Sequence, residues 1–254
     1  MIRPSASGVF LVGAIAAAGV VGVLAHRASG AAPREANGLP SDAVRVGFEP
    51  RGRSGDVVLL EATRHFSLSL GNGTVRGEPA AMDRLEKGRS VVVRELARYP
   101  GAFVSRIHLV GVVFAEDLVE GETPIPSLPN VAGLLLLDVH AAESDLVRTI
   151  HHEIFHFADL ADDGSLAPDP EWAALNAKSF VYGAGGRSLR SAWAARPSDL
   201  PGFVSGYATS AVEEDKAETF AFLVARPDAI HRDPILDAKV RLVKQRAAAL
   251  DLHL

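Results

Sequence analysis

Cysteine is absent from all 254 residues, which excludes disulfides, thiolate metal sites and a cysteine nucleophile. A lipoprotein anchor, which needs a cysteine, is excluded with them. Any metal must therefore be held by His, Asp or Glu. A basic field is missing as well: the formal net charge is −5 and no Lys/Arg-rich block occurs, so the chain offers no phosphate-binding surface for nucleic acid. No internal repeat is visible. What remains is ordinary for a globular protein, 48% apolar and 22% charged, and long enough for one well-buried domain or two small ones.

The N-terminus departs from that composition. Arg3 precedes residues 8–25, GVFLVGAIAAAGVVGVLA, a run without a charge at the short end for a membrane span. Charge before and an apolar helix after fit a secretory signal, cleavable after Ala25, or an uncleaved anchor. Residues 26–41, rich in Ala, Gly, Ser and Pro, read as a flexible linker. The expected organisation is a signal or anchor over 1–25, the linker over 26–41 and one domain over 42–254. That domain would lie outside the cytoplasm, secreted or anchored, touching the membrane only through the N-terminal segment.

Residues 56–62 and 65–71 carry short strand patterns, the second broken by the glycines of GNG. Residues 79–99 place apolar side chains at helical spacing until Pro100-Gly101 stops them. Residues 103–114, β-branched and nearly continuous, predict a strand. Residues 120–130 read as a proline-rich loop and 131–139 as a second strand. A helix is predicted over 142–161, with Ser144 and Asp145 placed to accept from its first amides. Residues 162–206 are loop-rich, and two helices, about 211–225 and 234–250, close the chain. Strands and helices without regular alternation predict an α+β fold.

Within the 142–161 helix the sequence reads HHEIFHFAD, so His152, Glu153 and His156 form an HExxH motif. Residues four apart on a helix share a face one turn apart. Two imidazoles so placed can direct nitrogens at one tetrahedral ion, and zinc in hydrolytic sites leaves one position for water. Glu153, beside the first ligand, can reach that water as general base. Ile154 and Phe155 point the other way and root the helix in the core, while His151, about 100° round the helix from His152, reads as solvated. A plain surface-edged helix, whose histidines satisfy carbonyls or water, carries the same letters. A third ligand separates the two. The segment GYATSAVEEDKAETF supplies candidates: Glu214 and Glu218 are four apart, so one can bind the ion while the other accepts the outer N–H of a ligand histidine. The same glutamates also suit a solvated face.

These two segments together resemble the catalytic domain of the lethal factor and Pro-Pro endopeptidase family of zinc metallopeptidases. The family pattern HExxHxxD, then a tyrosine, a glutamate seven residues on, and Ala-Glu with an aromatic, matches His152, Glu153, His156, Asp159, Tyr207, Glu214, Ala217, Glu218 and Phe220. The resemblance implies a zincin-like domain, a small mixed sheet with an edge strand ahead of the HExxH helix. It implies one Zn2+ held by His152, His156 and Glu214, Glu153 as base and Tyr207 as hydrogen-bond donor to the oxyanion. Glu218 and Asp159 would support the ligands. Gly133, Leu134, Leu135 and Leu136 would form the edge strand that pairs with an extended peptide or protein substrate. Three features depart from the family: Phe155 replaces a glycine, Asp215-Lys216 stand where aromatics are usual and imply a more exposed helix, and the 162–206 insert is long. The function expected is an exported zinc endopeptidase. The alternative is a membrane-tethered module that holds peptides over a non-catalytic zinc site.

Overall fold

Three apolar runs, VVLLEA, GVVFA and LLLLD, are buried along nearly their whole length, the pattern of parallel strands covered on both faces. The computed structural model describes residues 46–70, 73–185, 198–229 and 233–254; the predicted N-terminal helix and linker, residues 1–41, lie outside them. Strands β1 (Phe48–Ser54), β2 (Val57–Ala62), β3 (Phe66–Leu70) and β4 (Gly73–Glu78) come first, then helices α1 (Met82–Leu96) and α2 (Gly101–Arg106). Strands β5 (Gly111–Glu120), β6 (Thr123–Pro124), β7 (Ser127–Val131) and β8 (Leu134–Asp138) follow. Helices α3 (Glu143–Asp163), α4 (Pro170–Ala173), α5 (Val212–Ala225) and α6 (Pro234–Ala249) complete the order. The protein is α+β, a curled eight-stranded sheet with six α-helices among the described residues. No helix among those residues is long and apolar enough to cross a membrane.

The first half of β5 pairs in parallel with β2 on one side and β8 on the other, in register Leu60↔Val113↔Leu136. Antiparallel β1 and β7 flank this trio. Side chains alternate across it. Val57, Leu59, Val112, Phe114, Leu135 and Leu137 pack with α1 and α3 in the main core. Val58, Leu60, Val113, Leu134 and Leu136 meet Phe66, Val75 and Leu118 on the other face. The second half of β5 pairs with β4 and β6, so the sheet curls over and covers its own back.

Several expectations change here. Pro100-Gly101 opens α2 instead of ending the local structure, because Phe103 and Ile107 fall one helical turn apart and both are buried. The strand predicted from 103 therefore starts at Gly111, where a Cβ would stand 2.9 Å from the Val58 carbonyl oxygen. The expected proline-rich loop contains β6 and β7. Ala132 and Gly133, with φ of 54° and 88°, make a two-residue turn between Val131 and Leu134, the geometry of a tight hairpin. Consequently Leu134, Leu135 and Leu136 are not on an edge: β8 is paired on both sides and its four leucines are buried, Gly133 belongs to the turn, and the outer strand is β7. Helix α3 starts from Ala142 with no side-chain cap, Ser144 and Asp145 included; Glu143 and Asp145 still place negative charge at its positive end. Gly164, with φ of 79°, ends it in the left-handed region.

The insert is tied down rather than loose where it is described. Asp169 caps α4 by accepting from the Trp172 amide. Trp172 Nε1 and the Tyr182 hydroxyl donate to Asp215 Oδ2 at 2.8 and 2.6 Å, and Lys239 Nζ reaches the same oxygen at 2.6 Å. Asp215 and Lys239 are both fully buried. Lys239→Ala leaves that carboxylate without its cation, and loss of one partner of a buried pair costs about 3–5 kcal/mol. The expected result is a matching fall in unfolding free energy, measured by urea denaturation.

Candidate metal centre

Helix α3 crosses α5 with Phe155 packed on Phe220, ring centroids 5.0 Å apart. Phe155, in place of a glycine, thus fills the core behind the histidines. On the neighbouring face of α3, His152 Nε2 and His156 Nε2 lie 3.1 Å apart. Glu214 Oε2, from the first turn of α5, is 3.1 Å from His152 Nε2 and 3.5 Å from His156 Nε2. All three residues are within a group whose ligand atoms lie inside 4.8 Å of one another.

The donor atoms fit a small tetrahedral cation. Ligands at 2.0–2.1 Å from zinc in tetrahedral array stand roughly 3.3 Å from each other, close to the separations found. Glu214 Oε2 is buried and, despite its nearness to both imidazoles, makes no well-angled hydrogen bond. Two ring nitrogens and a carboxylate oxygen facing one another in a buried site are held together by a shared positive charge, either a proton or a metal cation. His152 donates from Nδ1 to Glu218 Oε1 at 2.9 Å; a carboxylate only accepts, so in the neutral ring that a metal would require, the lone pair of Nε2 is turned into the cluster. The electrostatics agree. Burial alone lowers the His152 pKa, but the Glu214 and Glu218 carboxylates override it and push it up to about 10. Burial alone would raise the Glu214 carboxyl, yet the facing imidazoles hold it well below the usual carboxylate range. A place that binds a proton this strongly is a place of negative potential, and a divalent cation can take the proton's part.

Around this trio sits a supporting ring. Glu218 is fully buried and accepts from Arg148 Nη1 at 2.6 Å and Ser205 Oγ at 2.6 Å besides His152. Glu153 is buried; its Oε1 accepts from Ser127 Oγ at 2.5 Å, while its Oε2 has no partner among the described residues. Tyr207 stands in a 3-10 turn (Tyr207–Thr209) with its ring centroid 5.8 Å from that of His152. Burial, then the charges of Glu214 and Glu153, drive its phenol far above the usual range, so it stays a neutral donor. The insert runs beside this turn: Gly183 and Gly185 donate their amides to the carbonyls of Thr209 and Ser210.

The structure thus brings together His152, Glu153, His156, Tyr207, Glu214 and Glu218. It does not join Asp159 to a histidine. Lys216 Nζ, 2.6 Å away, pairs with Asp159 instead, and His156 Nδ1 is left without a partner among the described residues. Burial dominates there and raises the Asp159 carboxyl to about 6. Asp215 and Lys216, expected on an exposed helix, are both buried because each finds an opposite charge, Lys239 and Asp159. His151 is not solvated either: it is fully buried, accepts from the Tyr99 hydroxyl at 2.5 Å and donates to Glu95 at 3.1 Å. Burial lowers its pKa to about 4.

Sequence reasoning missed Arg148, Ser127 and Ser205. Arg148 was within reach, since it lies one helical turn before His152 on the same face. The two serines carry no local signal; only the tertiary fold delivers them. Glu218→Gln keeps an oxygen acceptor for His152 but removes the charge; if the trio holds zinc, its affinity is expected to fall about tenfold, measured by competition with a fluorescent chelator. No family model matches the chain, and neither a curated protein nor a solved structure matches it.

Proposed function

We propose that the chain is a zinc-dependent endopeptidase of the gluzincin type, acting on extended peptide or protein substrates, with one Zn2+ per chain. The observation that carries the reading is the convergence of His152 Nε2, His156 Nε2 and Glu214 Oε2 at separations of 3.1, 3.1 and 3.5 Å. The resemblance to the lethal factor and Pro-Pro endopeptidase family supports it from the sequence side. So does the general topology, a mixed sheet whose antiparallel outer strand β7 packs beside α3.

When bound, zinc supplies a Lewis acid that polarises a carbonyl and makes water a stronger nucleophile. The chain's own residues do the rest. His152, His156 and Glu214 hold the ion. Glu153 accepts a proton from the attacking water on its unpartnered Oε2 and passes it to the leaving amine. Tyr207, a neutral phenol, donates to the oxygen on which negative charge develops. Glu218, held by Arg148 and Ser205, fixes the His152 tautomer. The main chain of β7, the outer strand, offers the free edge to which an extended peptide adds. In the full chain, residues 1–25 act as signal or anchor and place this domain outside the cytoplasm.

The test is incubation of the zinc-loaded protein with a diverse peptide pool, new termini being read by mass spectrometry. Cleavage abolished by a chelator and restored by zinc is the expected result. Stoichiometric zinc with no new terminus would instead leave a peptide-holding module with a non-catalytic site, and absence of zinc from the purified protein would end the metal reading.

A further inference from the structure

Ser127 stands outside the metal-binding trio, yet its hydroxyl donates at 2.5 Å to Glu153 Oε1. Both residues are buried, Ser127 at 7% and Glu153 at 6% exposure. The other oxygen of the same carboxylate, Oε2, has no partner among the described residues. One oxygen is therefore held and one is left to act.

The backbone adds to this. Bonded and non-bonded positions alternate along an antiparallel pair. The Asp138 amide donates to the Pro126 carbonyl at 2.9 Å, and Ser127 is registered with Leu137. Ser127 thus falls at a non-bonded position, its N–H and C=O directed away from β8 to the outer edge of the sheet. Outside the strand ladders, no backbone group among the described residues bonds to either. Its neighbour Leu128 packs into the opposite face of the sheet, so the Ser127 side chain is turned to α3 by the alternation of the strand. The same residue faces the outer edge with its main chain and Glu153 with its side chain.

We infer that Ser127 is a positioning residue for the reaction, orienting the Glu153 carboxylate so that Oε2 faces the proton it takes. The inference rests on the endopeptidase reading and concerns a residue that binds no metal. A hydroxyl that merely filled a polar gap in the core would affect stability and leave the orientation of Glu153 unread in the kinetics.

The full chain, zinc-loaded, is compared with Ser127→Ala and Ser127→Thr on one cleaved peptide. A hydrogen bond to a charged group has a strength that converts to about a ten- to a hundredfold rate effect. Ser127→Ala is expected to lower kcat by that factor, with KM and zinc affinity changed less than about twofold, and Ser127→Thr to restore most of the rate. A second readout uses metal-free protein. The carboxylate infrared band of Glu153, identified by its loss in Glu153→Gln, is expected to shift in Ser127→Ala and to return in Ser127→Thr. An unchanged kcat, or an unshifted band, in Ser127→Ala overturns the inference while native activity stands. A native chain that cleaves no peptide removes the endopeptidase reading itself, a failure distinct from the first.

Discussion

On the proposed reading, Glu153→Gln is expected to bind one zinc per chain, matching the native protein under the same conditions, and to lose the hydrolysis proposed for it. Glutamine matches glutamate in size and keeps an acceptor for the Ser127 hydroxyl, which now bonds to Glu153 Oε1. What it lacks is the capacity to take a proton, and a positioned acid–base group contributes about 10²–10⁴ in rate. None of the three groups placed to hold the ion is touched, so metal content by elemental analysis is expected to be unaltered. The pairing of full metal with absent turnover is what separates a base from a ligand. A variant that cleaved the peptide pool as fast as the native chain would show that Glu153 is a buried carboxylate without part in the chemistry.

His156→Ala and Glu214→Gln are expected to fail one step earlier, at the metal. Apparent binding energies of ~10–16 kcal/mol for four-ligand zinc sites amount to ~3 kcal/mol for each ligand. Loss of one ligand then weakens affinity about a hundred- to a thousandfold. Glu214→Gln carries a further effect: it removes the charge that, with Glu218, pushes the His152 imidazole up to about 10 despite burial. Zinc titration followed by a competing chelator measures both variants. The contrast with Glu218→Gln is informative, since Glu218 would act on a bound ion through His152 Nδ1 and its loss is expected to cost about tenfold.

Much of the site was legible because it is written in helical spacing. His152 and His156 are one turn apart on α3, and Glu214 and Glu218 one turn apart on α5, so each pair had to share a face whatever the rest of the fold did. Bounds of α3, α5 and α6 fall within two residues of the expected 142–161, 211–225 and 234–250 for the same reason; Asp233, which the sequence reading did not use, caps α6 by accepting from the amides of Ile235 and Leu236. The sheet was less legible. Strand β7, SLPNV, holds a proline and little alternation, and its existence depends on the buried β8 beside it. Calling Gly133 to Leu136 an edge failed because pairing partners are long-range facts that an apolar run does not announce. Polar burial failed in the same way. Asp215, Lys216 and His151 look like solvated residues until Lys239, Asp159, Tyr99 and Glu95 are brought to them from distant segments.

The most direct measurement is an anomalous difference map from crystals of the full chain soaked in zinc. The account predicts one strong peak within about 2.2 Å of His152 Nε2, His156 Nε2 and a Glu214 carboxylate oxygen. A peak completed by Glu218 or Asp215 in place of Glu214, or no peak between the two imidazoles, would contradict it.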